Sequence, residues 1–272
     1  MSQRWIDLRT FDSKKLEALI KKCLNDFYQR RFEILRKLRL RQVIKRKNPY
    51  LFKALGTEQA SEIVKRILEA YISSSDETIF GDAYFEQIAR NLPNFGVSDA
   101  KGVDLIVQED KVIHAYALKS GPNPFNSSQK ERQNTEFLEL KSRLMKLRKQ
   151  FDPVLAYAYG TRNKSSSGKW IYREAAGQEF WKEITNDDDF YLKIIRLMKD
   201  EPLKRIDQYK SDWDAVINRF TREFTQDFCF SDGRIDWEKL TQFVSSKNPP
   251  QLKKQKATKF INKKLKTKKL RK

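Results

Sequence analysis

The amino-acid sequence predicts an α/β protein in which a small mixed β-sheet is flanked by helices, with helical N- and C-terminal parts. Three observations predict this class. Apolar residues recur at intervals of three and four early in the chain, alternate near its middle, and return to the helical period from residue 180 to residue 244. Hydrophobic residues make up 39% of the 272 residues, which is enough for a sizeable core and excludes a disordered chain.

The helical N-terminal part begins with a long amphipathic helix. Its apolar stripe starts at Leu16, and Asn48-Pro49 is predicted to end it because the residue before a proline disfavours helical geometry. A second helix is predicted to begin at Thr57 and to be broken by the serine run of residues 73–76. A third helix spans residues 82–91.

The alternating part of the chain predicts the sheet. Two runs, residues 103–108 and 112–119, form a hairpin across a tight turn. A helix over residues 128–150 follows, and two further strands are predicted at residues 153–160 and 170–174. The sheet should therefore contain about four or five strands.

Composition limits the chemistry. The chain has one histidine, His114, and two cysteines, Cys23 and Cys229, which exclude a histidine-rich metal site and a disulfide framework. No signal-peptide pattern and no membrane-spanning stretch are predicted, so we expect a cytoplasmic protein without a membrane partner. The net charge of +20 indicates a nucleic acid as the partner, with an anionic membrane surface or no specific partner as the alternatives.

Much of the positive charge lies in two segments. Residues 247–272 hold 12 Lys and Arg and no acid, and we interpret them as a linker followed by a basic tail. Residues 29–48 hold nine basic side chains and one acid. We divide the chain into a helical region (residues 1–56) for nucleic-acid contact or dimerisation, a core with a helical C-terminal part (residues 57–246) and the tail. A solvated surface remains the alternative for both basic segments.

The hairpin carries the predicted chemistry. Pairing across its turn brings Asp104 near Lys119, at the open end of the two strands. The carboxylate would bind Mg²⁺, and the amine would orient the attacking water and stabilise developing charge. With a single histidine in the chain, carboxylates, lysine and Mg²⁺ are the favoured catalytic groups.

Two stretches, Gly102-Val103-Asp104-Leu105-Ile106-Val107 and Tyr116-Ala117-Leu118-Lys119-Ser120-Gly121, resemble the PD-(D/E)XK phosphodiesterase superfamily, the fold of many type II restriction endonucleases. Further short motifs, in a consistent order, resemble one restriction-endonuclease branch: Asn48-Pro49-Tyr50, Phe80-Gly81, Gln133-Asn134-Thr135-Glu136-Phe137, Gly177-Gln178-Glu179-Phe180-Trp181 and Asp232-Gly233-Arg234.

The resemblance implies a restriction-endonuclease-like core and a Mg²⁺-dependent, site-specific endonuclease. Such an enzyme would act on double-stranded DNA as a homodimer, beside a cognate DNA methyltransferase of the same system. A non-catalytic DNA-binding protein remains an alternative, as does a repair or RNA nuclease of the same fold.

The sequence departs from the superfamily pattern at Ala117, where an acidic residue two before the lysine is expected. Some members of the superfamily take this acid from a neighbouring helix, and Glu86 is the candidate here. The resemblance adds the Leu118 carbonyl as a further metal ligand. Three other acids are rivals of Glu86: Asp99, Glu109 and Glu131.

The predicted DNA contacts lie after the strand that carries Lys119 and in the loop between the two later strands. They are Ser120, Asn123, Asn126, Ser127, Gln129, Arg162, Lys164 and Lys169. Arginine can contact guanine with two hydrogen bonds. For the polar residues near 126 helix capping is the alternative, and for the basic ones a solvated loop. Gln133 could touch the phosphate, although an ordinary helix-surface glutamine is the alternative. His114 is expected to pack against a helix and to take no part in catalysis.

Overall fold

The computed structural model describes residues 12–93, 96–108, 111–121, 126–145, 148–162, 164–165 and 168–252. The chain divides into two compact units. The sheet unit comprises residues 1–39 and 68–217, and the helical unit comprises residues 40–67 and 218–272. The chain passes from one unit to the other after residues 39, 67 and 217, and not at the predicted boundaries after residues 56 and 246. The roles predicted for residues 1–56 and for the basic tail stay predictions, and tail residues 253–272 lie outside the described residues.

The predicted helices and strands occur in the predicted order, and the structure adds the short helices over residues 40–44 and 49–54 and a short strand over residues 96–97. The helices are α1 (Ser13–Lys37), α2 (Leu40–Ile44), α3 (Pro49–Ala54), α4 (Ala60–Phe80), a π-helix (Gly81–Glu86), α5 (Gln87–Arg90), α6 (Ser127–Leu144), α7 (Gln178–Thr185), α8 (Phe190–Arg196), a 3₁₀ turn (Leu203–Arg205), α9 (Ile206–Phe228) and α10 (Trp237–Ser245). The strands are β1 (Gly96–Val97), β2 (Leu105–Gln108), β3 (Val112–Lys119), β4 (Gln150–Tyr157) and β5 (Arg173–Ala176).

The sheet is mixed, as predicted. Its five strands lie in the order β1-β2-β3-β4-β5, with antiparallel pairing from β1 to β3 and parallel pairing from β3 to β5. On one face Ala115 and Ala117 pack with Phe137 of α6. On the other face Tyr116 and Leu118 belong to a larger apolar cluster with residues of α1, α5 and α7. Both faces are therefore covered, which suits the apolar and buried second half of β4, residues 154–157.

Two predicted helix boundaries were wrong. The first helix ends at Lys37, and Pro49 starts α3 because a proline at the first helical position loses no hydrogen bond that the helix needs. The serine run of residues 73–76 does not break α4. Asp76 in that run accepts two hydrogen bonds from Nε of Arg31, at 2.8 and 2.9 Å, which favours an ordered helix there.

The predicted strands and their connecting helix shift by a few residues. The helix expected to reach residue 150 is seen as α6, which ends at Leu144, and β4 already begins at Gln150. The last strand starts at Arg173, later than residue 170. Within the described residues, no helix is both long and apolar enough to cross a membrane.

The helical unit has its own buried ion pair and aromatic core. Arg41 donates two hydrogen bonds to Asp227, from Nε at 2.8 Å and from Nη2 at 2.9 Å. Asp227 is 5% exposed, so its charge depends on this partner. Phe228 packs against Phe224 and Phe243, with ring centroids 5.4 and 5.2 Å apart.

Candidate active site

Asp104 and Lys119 lie together at the open end of the hairpin. Leu105 is opposite Tyr116, and the Asp104 amide donates to the Tyr116 carbonyl at 2.8 Å. The Leu118 amide donates to Asp104 Oδ2 at 2.8 Å, and Lys119 Nζ lies 3.6 Å from the same oxygen. The strand that carries the lysine thus also fixes the carboxylate.

Glu86 joins this pair through an arginine that the sequence analysis missed. Arg90 Nη2 lies 3.0 Å from Glu86 Oε2 and 3.8 Å from Asp104 Oδ1. Both carboxylates are largely buried, with side chains about one-fifth exposed. Arg90 follows Glu86 by four residues in one helical segment, and this spacing was the signal in the sequence that could have revealed it.

The π-helix explains why Glu86 points to this site. Hydrogen bonds in a π-helix join residues i and i+5, so Glu86 lies above Gly81. A regular α-helix would place Phe85 there and rotate Glu86 away by about 100°. Gly81 faces the end of β3, since a Cβ atom on it would lie only 3.3 Å from the Ser120 Cβ.

The carboxyl group of Glu86 has a strongly raised pKa. Burial raises it most, the charge of Asp104 raises it further, and together they bring the pKa to about 7 although Arg90 and Lys119 act in the opposite direction. Two carboxylates held together in a partly buried site favour a bound cation. The carboxylate oxygens are ligands that Mg²⁺ prefers, so the donor set fits this ion.

A cleft of about 580 Å³ opens beside these residues. Its lining includes Asp82, Glu86, Leu118, Lys119 and Tyr159. Another cavity, of about 620 Å³, lies in the sheet unit and is lined by residues of α1, α4 and α9. We assign the chemistry to the first cleft, because its lining contains the lysine and the carboxyl group with the perturbed pKa.

Comparison with known proteins identifies the family of the chain. Residues 14–205 match the family model described as type II restriction endonuclease EcoO109I, whereas no curated protein matches the chain. The chain belongs to this family of type II restriction endonucleases. The matched range includes the whole sheet, Asp104, Lys119 and Glu86.

Membership in the EcoO109I family confirms the resemblance to the PD-(D/E)XK superfamily and the restriction-endonuclease-like fold. It implies nuclease activity on DNA.

Other predicted site residues of this EcoO109I-family chain have structural partners. The Asn126 side chain accepts from the Gln129 amide at 3.0 Å, and the Gln129 side chain accepts from the Asn126 amide at 2.9 Å. This capping box begins α6 at Ser127. Ser120 lies in the cleft, and its buried Oγ has no hydrogen-bond partner among the described residues. Asn123 lies outside the described residues.

The predicted basic contacts lie in the segment between β4 and β5. Arg162 Nε is 2.7 Å from Oε2 of Glu174, a buried acid, so this arginine is anchored to the sheet. Lys164 forms a β-bridge with Glu174. Lys169 Nζ lies 4.7 Å from the centre of the Trp170 ring, within cation–π distance.

The rivals of Glu86 fit the site less well. Asp99 and Glu131 are exposed to solvent, and Glu109 lies outside the described residues. Gln133 is buried, and its Nε2 donates to the Gly102 carbonyl at 2.8 Å. Gln133 therefore braces the turn before Asp104, a role that we did not predict.

His114 belongs to a separate polar cluster. Its Nδ1 lies 2.9 Å from Asp152 Oδ2, and the ligand atoms of His114, Asp152 and Glu183 all lie within 4.8 Å of one another. This set could hold a metal ion, but Arg173 already donates to both carboxylates, at 2.8 Å each. Burial raises the pKa of Asp152, yet contacts with His114 and Arg173 lower it to about 2. We interpret the cluster as a structural ion-pair network.

Proposed function

We propose that the protein is a site-specific type II restriction endonuclease that hydrolyses phosphodiester bonds of double-stranded DNA with Mg²⁺-activated water. One observation carries the proposal. Glu86 and Asp104 both lie within 4 Å of Arg90 Nη2, and Lys119 Nζ lies 3.6 Å from Asp104, beside a cleft that Glu86 and Lys119 line. This supplies two carboxylates and an amine where the superfamily chemistry needs them, although Ala117 replaces the usual acid.

Asp104, Glu86 and the carbonyl of Leu118 would hold the ion. Oδ2 of Asp104 is engaged by the Leu118 amide and by Lys119, whereas Oδ1 faces Arg90 Nη2, which also contacts Glu86. The amide and carbonyl of one strand residue point to the same side, so the Leu118 carbonyl is directed toward Asp104. When bound, Mg²⁺ lowers the pKa of water and neutralises charge on the phosphate.

Lys119 carries the remaining chemistry in this proposal. Its position beside Asp104 keeps the ammonium group at the mouth of the cleft, where it orients the water for in-line attack. The same charge stabilises the additional negative charge that develops on the phosphate oxygens. The surrounding side chains, Ser120 among them, would position the DNA backbone.

The proposed DNA surface is the edge of the sheet where β3 and β4 end. These strands are parallel, with Lys119 opposite Tyr157, so the residues that follow them emerge at the same edge. Ser120, the start of α6 and the segment with Arg162, Lys164 and Lys169 all follow these ends.

The basic face of α1 contributes less to the proposed DNA surface. Its cations pair with acids of the same unit: Arg30 with Asp26 and Asp82, Arg31 with Asp76, Arg36 with Asp212, and Lys37 with Glu33. These ion pairs offset much of the positive charge predicted for that face. The basic tail keeps its proposed role as an affinity accessory.

The proposal includes a homodimer and a cognate methyltransferase. Two subunits related by a two-fold axis match the two strands of a symmetric duplex site. The methyltransferase is a functional partner that protects the host sites and need not bind the nuclease. Digestion of unmethylated DNA but not of DNA methylated at the same sites would support this part.

Cleavage of plasmid DNA tests the proposal. In Mg²⁺, the protein should produce discrete fragments, and Asp104→Ala and Lys119→Ala should each lower the rate by at least about 10²-fold while DNA binding persists. Matched controls are Asp188→Ala and Lys37→Ala, an exposed acid and an exposed lysine away from the cleft. Discrete cutting by both site variants would contradict the assignment.

Substrate comparison separates the alternatives. A repair or RNA nuclease would cut single-stranded DNA or RNA in preference to the duplex. A binding-only protein would cut none of them, and its binding would weaken steeply with salt and with removal of residues 247–272.

A further inference from the structure

Arg90 occupies the position between the two carboxylates of the proposed metal site. Its Nη2 lies 3.0 Å from Glu86 Oε2 and 3.8 Å from Asp104 Oδ1, so one cationic nitrogen faces both acids. Arg90 is 29% exposed at its side chain. A guanidinium carries five N–H donors in a planar fork, so one side chain can face both acids.

A cation in this position has two opposing effects. It stabilises the pair of carboxylates, which would otherwise repel each other in a partly buried site. It also repels a divalent ion that approaches the same oxygens, because like charges at such short distances in a cleft are only weakly screened.

We propose that Arg90 is a resident counter-cation that competes with Mg²⁺ for Glu86 and Asp104, so that the ion binds tightly only when Arg90 turns to a phosphate of the substrate. The inference rests on the proposed function, in which these two acids hold the metal. Arg90 is a positioning residue in this scheme, because it acts on the metal through Glu86 and Asp104.

The proposed turning of Arg90 to a substrate phosphate follows from the chemistry of the guanidinium. A phosphodiester brings negative charge into the cleft, and arginine binds phosphate with two parallel hydrogen bonds. Arg90 Nε is buried and has no hydrogen-bond partner among the described residues. The side chain therefore has a donor that a phosphate oxygen could satisfy. Metal binding and DNA binding should consequently favour each other, which would limit cleavage when no substrate is present.

The test measures metal affinity without DNA and without turnover. Mn²⁺ is titrated into the full chain by calorimetry, for wild type, Arg90→Met and Arg90→Lys. We expect Arg90→Met to bind Mn²⁺ about tenfold more tightly or better, which corresponds to about 1.4 kcal/mol. Arg90→Lys keeps the charge and should stay within about threefold of wild type, since the competition is electrostatic.

Arg66→Met is the matched control. Arg66 pairs with Glu62 four residues earlier in α4, at 2.7 Å, as Arg90 pairs with Glu86. Its loss should leave Mn²⁺ affinity unchanged, because neither residue belongs to the proposed metal site. If Arg90→Met does not fold, as judged by circular dichroism, Arg90→Gln replaces it with the same expected result.

The outcomes separate this inference from the proposed function. Glu86→Gln and Asp104→Asn should each abolish the weaker Mn²⁺ binding that the wild type shows without DNA. If they do, and the neutral Arg90 variants bind Mn²⁺ no more tightly than wild type, the competition is overturned while the metal site stands. If neither acid variant changes binding, the metal lies elsewhere and both the inference and the site assignment are overturned.

Discussion

Replacing Glu86 by glutamine should change how the stability of the metal-free protein depends on pH. The carboxyl group has an ordinary pKa of 4.5 in the unfolded chain and about 7 in the folded protein. A raised pKa means that the folded state favours the protonated acid. Its contribution to stability is fully present below pH 4.5 and is lost as the pH rises through 7.

The size of the effect follows from the same pKa values. A rise from 4.5 to about 7 corresponds to roughly 3 kcal/mol of free energy of unfolding at most. Solvent reaches part of the carboxylate and screens it, so we expect about 1–2 kcal/mol. Glutamine carries no charge, so the Glu86→Gln variant should not lose this stability as the pH rises.

Urea unfolding in EDTA at pH 4.5, 6 and 8 measures the effect for wild type and Glu86→Gln. The stability of the variant relative to wild type should increase by about 1–2 kcal/mol from pH 4.5 to pH 8. With excess Mg²⁺ at pH 8 the wild type should regain stability relative to the variant, because only the wild type gains binding energy from the ion. A stability difference that is independent of pH would refute the reasoning about Glu86.

Three further substitutions test other parts of the structure. Gly102→Ala should lower the free energy of unfolding in urea by about 1–3 kcal/mol, because Gly102 has a φ of 73° and an added Cβ atom would clash with the Glu136 side chain. An unchanged free energy of unfolding would contradict the strained turn. Asp227→Ala should cost about 3–5 kcal/mol, because it leaves Arg41 partly buried without its carboxylate, and a loss below about 1 kcal/mol would show that the pair adds little. Gln133→Leu should slow plasmid cleavage at temperatures where the variant is still folded, because the Gln133 amide holds the turn before Asp104. Unchanged cleavage would show that Gln133 does not support the site.

The proximity of Asp104 and Lys119 could be predicted because strand pairing has a simple period. Alternation and one predicted turn bring the open ends of the two strands together, and Lys119 Nζ lies 3.6 Å from Asp104 Oδ2. The mixed sheet also followed from the sequence, since the order of helical and alternating segments limits the topologies. Strand pairing and the order of elements can therefore be predicted from local sequence patterns, without knowledge of tertiary contacts.

Other features depended on tertiary contacts that no local pattern reveals. Residues 73–76 read as a helix break, but Asp76 pairs with Arg31 of another helix. Arg162 read as a free loop cation, but its partner Glu174 is a buried acid of β5. The rotation of Glu86 into the site depends on a π-helix, and the pattern of apolar residues does not distinguish this from an α-helix.

The absence of an acid at position 117 has a physical explanation in the packing of the sheet. Ala117 is fully buried and belongs to the apolar cluster with Phe137 and Leu155. A glutamate there would have to bury its carboxylate against these side chains, which is costly unless a cation pairs with it. In the proposed site Glu86 supplies the acid instead, and β3 keeps its apolar packing. In the proposed mechanism, this makes the metal site depend on the helical segment that carries the π-helix, and it explains why an arginine of that same segment, Arg90, can control access to the ion.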